Sequence, residues 1–446
     1  MIKQALLARE EAGTPIKVAF VGSGRMGTGA ICQIGLMKGM KTTVIADLNV
    51  ERAKRAFVLA GYDEDDIVVT NNLEVASEAL INGKAVVTED AEIVPELAIE
   101  VVVDATGSPE LGARIALKTI QNKKHIVMLN VESDVVVGPI LHKMAQNAGV
   151  VYTVSSGDEP GLIAELYDRY TSLGFEIVAV GKTPTSLGSL DLYATPESIA
   201  KEAEELGVNP HFLVTFRDAT KTMIEMASIS NYTGLVPDVR GMHGPVAGIY
   251  EIPKLFRLKS EGGILNRRGV IDYARPLKTE DGEIDFLRSV TPGVFLVIRT
   301  EHPQIQEDLK YLDVIGEDGY YIMHTPYHLV TTEIPLSIAQ AVLFNQPTIV
   351  PKLGIVTEVI AAAKRDLMAG EIIDGPGGFT VYAQNDHYDL AKKEKMVPLG
   401  LLPGARLLMD VKKDEIITYD MVELKTDTIL YQLRQQQDSG LLQESI

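Results

Sequence analysis

The chain has 446 residues, of which 46% are hydrophobic and 23% are charged, and its formal net charge at pH 7 is −19. This size and composition predict two or three globular domains with sizeable cores, while the negative charge argues against nucleic acid or a membrane surface as a partner. No stretch approaches the roughly 18 apolar residues of a transmembrane helix. The single cysteine, Cys32, excludes an intrachain disulfide. The N-terminal sequence has neither the apolar core region nor the small-residue cleavage site of a signal peptide. Together with the single cysteine, this predicts a cytoplasmic protein.

The first elements read as a strand, a glycine-rich turn, a helix and a second strand. The apolar runs "IKVAFVG" and "TTVIADL" enclose the segment "GSGRMG", residues 22–27. Gly22 would permit the tight turn, Gly24 would let the backbone approach a pyrophosphate, and Gly27 would let the helix pack closely on the strand. The free N–H groups of the helix N-terminus would face the phosphates. The turn predicts a dinucleotide site whose other members are Ser23, Arg25 and Met26.

An acidic residue follows the second strand at a characteristic distance. Asp47 lies 20 residues after Gly27, where a carboxylate would bind the 2′-hydroxyl of the adenosine ribose. This position favours NAD, because a carboxylate repels the 2′-phosphate of NADP. The neighbouring Asn49, Arg52 and Lys54 keep NADP open. The alternative interpretation is a tight turn followed by a surface aspartate.

Strands and helices continue to alternate up to about residue 155. The segments "IEVVVDATGSPE", "HIVMLN" and "VVYTVSSGDEPG" read as strands with helices between them. This alternation predicts an α/β fold with a Rossmann-like, doubly wound parallel sheet, in which ligands bind beyond the carboxyl ends of the strands. We expect four loop residues to line the nicotinamide half of the cofactor site, unless they serve only as ordinary loop residues: Thr106, Gly107, Asn130 and Glu132.

The middle of the chain carries buried charges. The strand "FEIVAVGKTP" ends near Lys182, and the apolar segment "TFRDATKTMIEMASISNYTGL" reads as one helix. At 100° per residue, its Asp218, Lys221 and Glu225 fall within an arc of about 60°. A buried Asp–Lys–Glu set suits proton transfer, so these three residues and Lys182 are the predicted catalytic group. Alternatively, the stripe is a salt-bridged solvent face and Lys182 only reaches toward water.

A glycine-rich basic stretch follows the helix. Residues 240–278 contain eight Lys or Arg and three Asp or Glu. Its loops would place Arg240, His243, Lys254, Arg267 and Arg268 around a small anion, because arginine commonly binds carboxylate and phosphate. Asn231 and His328 complete the predicted substrate-binding set. The alternative is a basic patch that meets the acidic surface of another subunit.

No metal-ligand pattern of any strength is present in the sequence. The spacing of His324, His328 and Glu333 does not match a known ligand motif, although a carboxylate site for Mg²⁺ or Mn²⁺ stays open. After residue 350, "TEVIAAAKRDLMAGEIIDGPGGFTVYAQ" and "LPGARLLMDVKKDEIITYDMVEL" read as compact β-structure. The predicted domains are 1–155 for NAD(P) binding, 156–350 for catalysis and dimerisation, and 351–446 for a β-rich module.

Three parts of the chain resemble known families. The first, with "VVVDATGSPE", resembles the NAD-binding domain of homoserine-dehydrogenase-type enzymes. The middle, with "VGKTP", "FRDATKTMIEMASISNYTGL", "MHGP" and "PYHLVTTEIPLSIAQA", is similar to the α+β catalytic domain of deoxyxylulose-phosphate-reductoisomerase-like (DRL) proteins. The last, with "AKRDLMAGEIIDG" and "VKKDEIITYDMVEL", resembles a SAF (β-clip) domain. The order of the three parts is more specific than any one motif.

This resemblance implies an NAD(P)-dependent oxidoreductase that couples isomerisation and reduction of a small anionic sugar derivative, with NADP or NAD and possible help from a divalent cation. The proton-transfer Asp and Lys of homoserine dehydrogenases would correspond to Asp218 and Lys221. A homodimer is expected by analogy. Two alternatives stay open: a homoserine-type dehydrogenase, and a catalytically inactive regulatory protein that binds NAD(P).

Overall fold

The computed structural model describes residues 1–440. The chain forms two compact units, each assembled from separated stretches. The first contains residues 1–161, 329–352 and the part from residue 427 onward, and the second contains residues 162–328 and 353–426. The division into three domains with boundaries at residues 155 and 350 stays a prediction. Within residues 1–440, no helix combines the length and the apolar character that a membrane span requires.

The first unit is built on one parallel sheet, as predicted. Its seven strands lie in the order β3-β4-β2-β1-β5-β6-β7, where β1 is Ile16–Val21, β2 is Met40–Ala46, β3 is Ile67–Val69, β4 is Ala85–Thr88, β5 is Val101–Asp104, β6 is His125–Met128 and β7 is Tyr152–Val154. Every residue of β5 is buried, because helices cover both faces of such a sheet. The chain therefore adopts the predicted Rossmann-like α/β architecture.

Eight α-helices of the described residues lie in this unit. They are α1 (Ile2–Glu11), α2 (Arg25–Gly35), α3 (Val50–Leu59), α4 (Leu73–Ile81), α5 (Pro109–Gln121), α6 (Val131–Ala148), α13 (Val330–Phe344) and α15 (Ile429–Asp438), numbered along the whole chain. Gly29 allows α2 to approach α13, since a Cβ at this position would lie 2.8 Å from Cβ of Thr331. The hydroxyl of Thr153 on β7 accepts hydrogen bonds from the backbone of Thr348 and Ile349. These contacts fix the returning segment 329–352 to the sheet.

The second unit contains a mixed sheet of six strands. Its order is β12-β13-β11-β8-β10-β9, where β8 is Glu176–Thr183, β9 is Val236–Pro237, β10 is Val270–Tyr273, β11 is Gly293–Arg299, β12 is Gly316–Glu317 and β13 is Tyr320–Thr325. Strands β9 and β10 run parallel to β8, whereas β11 runs antiparallel to it. One face carries an apolar core in which the rings of Phe256 and Phe295 are 5.5 Å apart.

The remaining elements of this unit include the predicted C-terminal β-structure. The helices are α7 (Glu159–Ser172, whose first turn belongs to the first unit), α8 (Ala200–Leu206), α9 (Pro210–Arg217), α10 (Thr220–Thr233), α11 (Ile252–Leu255), α12 (Pro303–Tyr311) and α14 (Tyr388–Lys393). The strands form two antiparallel pairs, β14 (Thr357–Ala363) with β15 (Val381–His387) and β16 (Arg406–Leu407) with β17 (Val422–Glu423). The β-rich character is as predicted, and the SAF assignment stays a prediction.

The predicted helix through residues 215–235 is interrupted. Helix α9 ends at Arg217 and α10 begins at Thr220, and Ala219 between them has the left-handed φ of 63°. The carboxylate of Asp218 accepts a hydrogen bond from the backbone N–H of Thr220 at 2.9 Å. Such local bonds compete with the helical pattern. The prediction that Asp218 lies on one helix with Lys221 and Glu225 is therefore wrong.

Asp218 instead forms a buried ion pair with a residue far along the chain. Its Oδ2 lies 2.9 Å from Nζ of Lys364, and both side chains are almost completely buried. Lys364 also donates to the carbonyls of Ala194 and Gly378. Burial raises the pKa of Asp218, and the ion pair with Lys364 only partly opposes this effect. The pair joins the start of α10 to the end of β14.

We expect the substitution Lys364→Met to lower the free energy of unfolding by about 3 kcal/mol, because it leaves a buried carboxylate and two buried carbonyls without their partner. Urea denaturation at pH 7 measures the change. The matched control is Lys412→Met, which removes an exposed lysine 3.0 Å from Asp366 and should cost less than about 1 kcal/mol. Similar losses in the two variants would contradict the stabilising role of the buried pair.

Candidate active site

The glycine-rich turn of the first unit has the geometry that its sequence predicts. Gly22 has a φ of 96°, and a Cβ there would lie 2.8 Å from the carbonyl oxygen of Ala105. A Cβ at Gly27 would overlap the carbonyl oxygen of Gly22, so this glycine lets α2 pack against the turn. A Cβ at Gly24 would meet no atom within 4 Å. The space beside Gly24 is open to a ligand.

The start of α2 offers its backbone N–H groups. Gly24 is the N-cap residue, and no side chain caps the helix there. Arg25 is exposed and Met26 is half-buried. An uncapped helix N-terminus beside an open glycine suits a bound diphosphate, because the N–H groups and the helix dipole both favour an anion. The residues present therefore fit the pyrophosphate of a dinucleotide.

Asp47 is buried beside this turn rather than exposed. Its Oδ2 accepts hydrogen bonds of 2.7 Å from both the N–H and the hydroxyl of Ser23, and its Oδ1 lies 2.7 Å from Nη2 of Arg52. Burial alone would raise the pKa of Asp47, but the hydrogen bonds from Asn49, Ser23 and Arg52 together lower it. Asp47 is therefore an ionised carboxylate held inside the protein.

The loops after β5 and β6 are joined by a buried polar network. Oδ1 of Asp104 accepts from the N–H and the hydroxyl of Thr106, and its Oδ2 accepts from Nδ2 of Asn130 at 2.9 Å. Burial raises the pKa of Asp104 to about 6, although these hydrogen bonds lower it in part. Thr106 and Asn130 thus support the loops, whereas Gly107 is exposed with a φ of 68° and Glu132 is half-buried in the first turn of α6.

In the second unit, three of the predicted catalytic residues come together. Nζ of Lys182 on β8 forms an ion pair with Oε2 of Glu225 on α10, and Nζ of Lys221 lies 3.9 Å from Oε1 of the same carboxylate. The side chains of Lys182 and Glu225 are 1% and 2% exposed, and that of Lys221 is 14% exposed. All residues of α10 other than Lys221 and Thr233 are buried. This lysine–glutamate cluster brings three charged groups together below the protein surface, which suits proton transfer.

The predicted substrate-binding residues are mostly engaged by the protein itself. Arg240 pairs with Asp386 at 2.5 Å and with Glu394 at 3.0 Å. Arg268 pairs with Glu261 at 2.8 Å, and its guanidinium lies 5.9 Å from the ring centre of Tyr320. Lys254 pairs with Glu317, whereas the exposed Arg267 makes no ion pair with the described residues. The contacts do not assemble these cations into one anion site.

The two other predicted contacts also have structural partners. The side-chain oxygen of Asn231 accepts from the N–H groups of Val356 and Thr357 at 2.8 and 3.3 Å, which links α10 to the start of β14. Nδ1 of His328 lies 3.0 Å from the carbonyl oxygen of Pro292. Both residues therefore hold backbone in place.

His243 lies between two carboxylates that sequence reasoning missed. Its Nδ1 is 2.8 Å from Oδ2 of Asp272, and its Nε2 is 3.4 Å from Oδ2 of Asp238. The hydrogen bond with Asp272 raises the pKa of His243, against the opposing effect of burial. The acid in the apolar strand "VIDYA" was a usable signal for Asp272, because a buried carboxylate needs a partner. No local signal in the sequence marks Asp238 as the second carboxylate beside His243.

Comparison with known proteins gives one family match. Residues 157–334 match the family described as oxidoreductase DRL, catalytic domain. This segment includes Lys182, Lys221 and Glu225, and it covers less than half of the chain. The match confirms the oxidoreductase part of the predicted resemblance, while the homoserine-dehydrogenase and SAF parts stay predictions. No curated protein matches the sequence.

Three solved structures illustrate a distant similarity. A "probable dehydrogenase" from Thermotoga maritima is 15% identical, with 74% of this chain and 90% of that chain covered at a TM-score of 0.39. The scyllo-inositol dehydrogenase of Lactobacillus casei, solved with NAD(H) and scyllo-inositol, is 14% identical, with 69% and 76% covered and a TM-score of 0.35. The WlbA dehydrogenase of Bordetella pertussis is 19% identical, with 42% and 50% covered and a TM-score of 0.26.

Two glycine substitutions should separate folding from dinucleotide binding. We expect Gly24→Ala to leave the melting temperature within about 2 °C of the wild-type value, because its Cβ meets no protein atom, but to reduce the stabilisation by added NADP or NAD. Gly27→Ala should lower the melting temperature of the free protein, because its Cβ overlaps the Gly22 carbonyl. Thermal melts with and without dinucleotide measure both effects. Unchanged dinucleotide stabilisation in Gly24→Ala would contradict the assignment of the turn.

The pairing of His243 predicts a pH-dependent contribution to stability. The pKa of His243 is higher in the folded than in the unfolded protein. Its contribution to stability is therefore complete below a pH of about 6.5 and is lost as the pH rises through the folded-state pKa. His243→Asn should therefore destabilise the protein by about 1 kcal/mol more at pH 6 than at pH 9. Urea denaturation at both pH values measures the difference. The surface variant His302→Asn is the control, and an equal pH effect there would contradict the prediction.

Proposed function

We propose that the protein is an NAD(P)-dependent oxidoreductase that couples isomerisation and reduction of a small anionic sugar derivative. The observation that carries this proposal is the lysine–glutamate cluster of Lys182, Lys221 and Glu225 within the segment that matches an oxidoreductase catalytic domain. The glycine turn of the first unit supports a dinucleotide as the redox partner, since its open Gly24 and uncapped helix fit a diphosphate.

Each member of the cluster has a separate role in this proposal. Lys221 is the most exposed of the three, so it exchanges a proton with the oxygen atom of the substrate carbonyl or hydroxyl. Glu225 positions both lysines through its two carboxylate oxygens. The buried Lys182 fixes the orientation of Glu225. The nicotinamide supplies or accepts the hydride, and the protein residues move the accompanying proton.

The isomerisation step makes a further demand on the same lysine. Rearrangement of a hydroxyketone begins with removal of a proton from a substrate hydroxyl, and reduction of the resulting carbonyl ends with delivery of a proton to oxygen. One lysine that gains and loses a proton can perform both steps. Support for an anionic substrate comes from the family resemblance and from Arg267, which is exposed without an ion pair among the described residues.

The homoserine-type alternative has less support from the side-chain contacts. Its expected proton-transfer pair was Asp218 with Lys221, yet Asp218 is paired with Lys364 in the interior. We therefore assign Asp218 a positioning role at the start of α10. A homodimer remains part of the proposal by analogy only.

The test is turnover by the full chain with NADPH or NADH, with and without Mn²⁺. The substrate panel contains deoxyxylulose phosphate, aspartate semialdehyde, and four- and five-carbon keto sugars and keto acids. We expect Lys221→Met to lower kcat by about 10²- to 10⁴-fold, the usual contribution of general acid–base catalysis. Glu225→Gln should lower kcat by a smaller factor, because it removes the negative charge of the carboxylate and keeps the shape of the side chain.

The control is Lys395→Met, which removes an exposed lysine 3.1 Å from Asp420. Dinucleotide binding, measured by thermal stabilisation, should be equal in the wild type and all three variants. Turnover that survives in Lys221→Met would exclude the proposed proton donor. Turnover of aspartate semialdehyde alone would favour the homoserine class, and dinucleotide binding without any turnover would favour the regulatory protein.

A further inference from the structure

The carboxylate of Asp47 is saturated by donors of its own unit. Oδ2 accepts from the N–H and the hydroxyl of Ser23, both at 2.7 Å, and from Nε of Arg52 at 3.3 Å. Oδ1 accepts from the N–H of Asn49 at 2.8 Å and from Nη2 of Arg52 at 2.7 Å. These five donors exceed the roughly four lone-pair positions of a carboxylate. The side chain is only 3% exposed.

A saturated and buried carboxylate cannot accept a further hydrogen bond from a ribose hydroxyl without losing one of these donors. Its two bonds to Ser23 instead hold the residue between Gly22 and Gly24. Asp47 therefore braces the glycine-rich turn. The contact that its position in the sequence predicts, a hydrogen bond to the ribose 2′-hydroxyl, does not agree with this geometry.

Arg52 presents the accessible side of the same ion pair. Its side chain is 51% exposed. It uses two of its five N–H donors on Asp47, so three remain for a ligand while the pair stays intact. A planar guanidinium with several remaining donors is well suited to binding a phosphate group.

The charge around Arg52 also favours an anion. Arg52 lies in the first turn of α3, and the side chain of Asn49 accepts the N–H of Arg52 as the helix cap. Lys54 and Arg55 follow on the same helix, and Lys54 lies 3.5 Å from the acidic Glu51. With Asp47 included, the positive side chains of residues 47–55 outnumber the negative ones by one. A chain with a net charge of −19 thus carries a local excess of positive charge on this short helix. Positive side chains at a helix N-terminus stabilise a bound phosphate.

We propose that Arg52 binds the 2′-phosphate of the adenosine ribose and makes the protein select NADP over NAD, while Asp47 serves as a brace for the turn. This inference rests on the proposed function in one respect, namely that the first unit binds a nicotinamide dinucleotide. It is the opposite of the preference for NAD that the position of Asp47 in the sequence predicts.

The test is isothermal titration of the full chain without substrate, so that no activity is needed. The probes are two pairs that differ only in the 2′-phosphate, NADP⁺ with NAD⁺ and 2′,5′-ADP with 5′-AMP. We expect the wild type to bind the phosphorylated member of each pair at least tenfold more tightly. Arg52→Gln should weaken that member by about tenfold, the cost of a charge-assisted hydrogen bond, and change the other member by less than twofold.

Two further variants make the test specific. Arg114→Gln is the matched control, because Arg114 is 46% exposed and lies 2.7 Å from a carboxylate oxygen of Glu92 in the same unit, and it should change neither affinity. Asp47→Asn should weaken NADP⁺ and NAD⁺ by the same factor, because it disturbs the turn that both would use. Selective loss of NAD⁺ binding in Asp47→Asn would instead show that Asp47 reads the ribose, and would overturn the inference.

The outcomes also separate this inference from the proposed function. Equal affinity of the wild type for NADP⁺ and NAD⁺, or equal weakening of both by Arg52→Gln, overturns the role of Arg52 and leaves dinucleotide binding intact. Failure of the wild type to bind any of the four probes overturns the inference together with the proposed function.

Discussion

The ion pair between Lys182 and Glu225 is the constraint on which the arrangement of β8 and α10 depends. Both side chains are almost fully buried, and an unpaired charge in such a place would cost several kcal/mol. The strand β8 and the helix α10 must therefore keep the one arrangement in which the two groups meet. Lys221, one helical turn before Glu225, is placed by the same arrangement and is the member with access to solvent. The stability of this region and the position of Lys221 thus have a common cause.

Several charged side chains in the interior of this protein join segments that are distant in the sequence. Asp218 and Lys364 join the start of α10 to the end of β14. Asp104 joins the loops after β5 and β6, and Asp272 holds the backbone and ring of His243. Each carboxylate is satisfied by several donors, which offsets the cost of burial. Many of the charged residues that the sequence suggests for ligand binding form ion pairs within the protein instead.

The sequence predicts the fold of the first unit well because the relevant signals are local. Glycine spacing, apolar strands and helix periodicity act within about 30 residues of one another. It also indicates that the charges of Lys221 and Glu225 are paired or line a cavity, since a charge in an apolar run needs a partner. It fails for Asp218, because neither Gly nor Pro marks the break at Ala219. It fails for Arg240 as well, because the carboxylates that occupy its guanidinium, Asp386 and Glu394, lie about 150 residues away.

The role of a buried carboxylate is decided by the number of donors around it, and motif spacing does not report that number. Asp47 has the position of a ribose-binding acid, yet five protein donors already occupy it. Glu225 is as deeply buried, but its two oxygens meet the ammonium groups of two lysines. The first carboxylate therefore fixes backbone, whereas the second holds two charged side chains, one of which transfers the proton in the proposed function. Counting donors at each buried acid separates an acid that holds backbone from one that holds charged side chains, and it needs the three-dimensional structure because the donors come from separate elements.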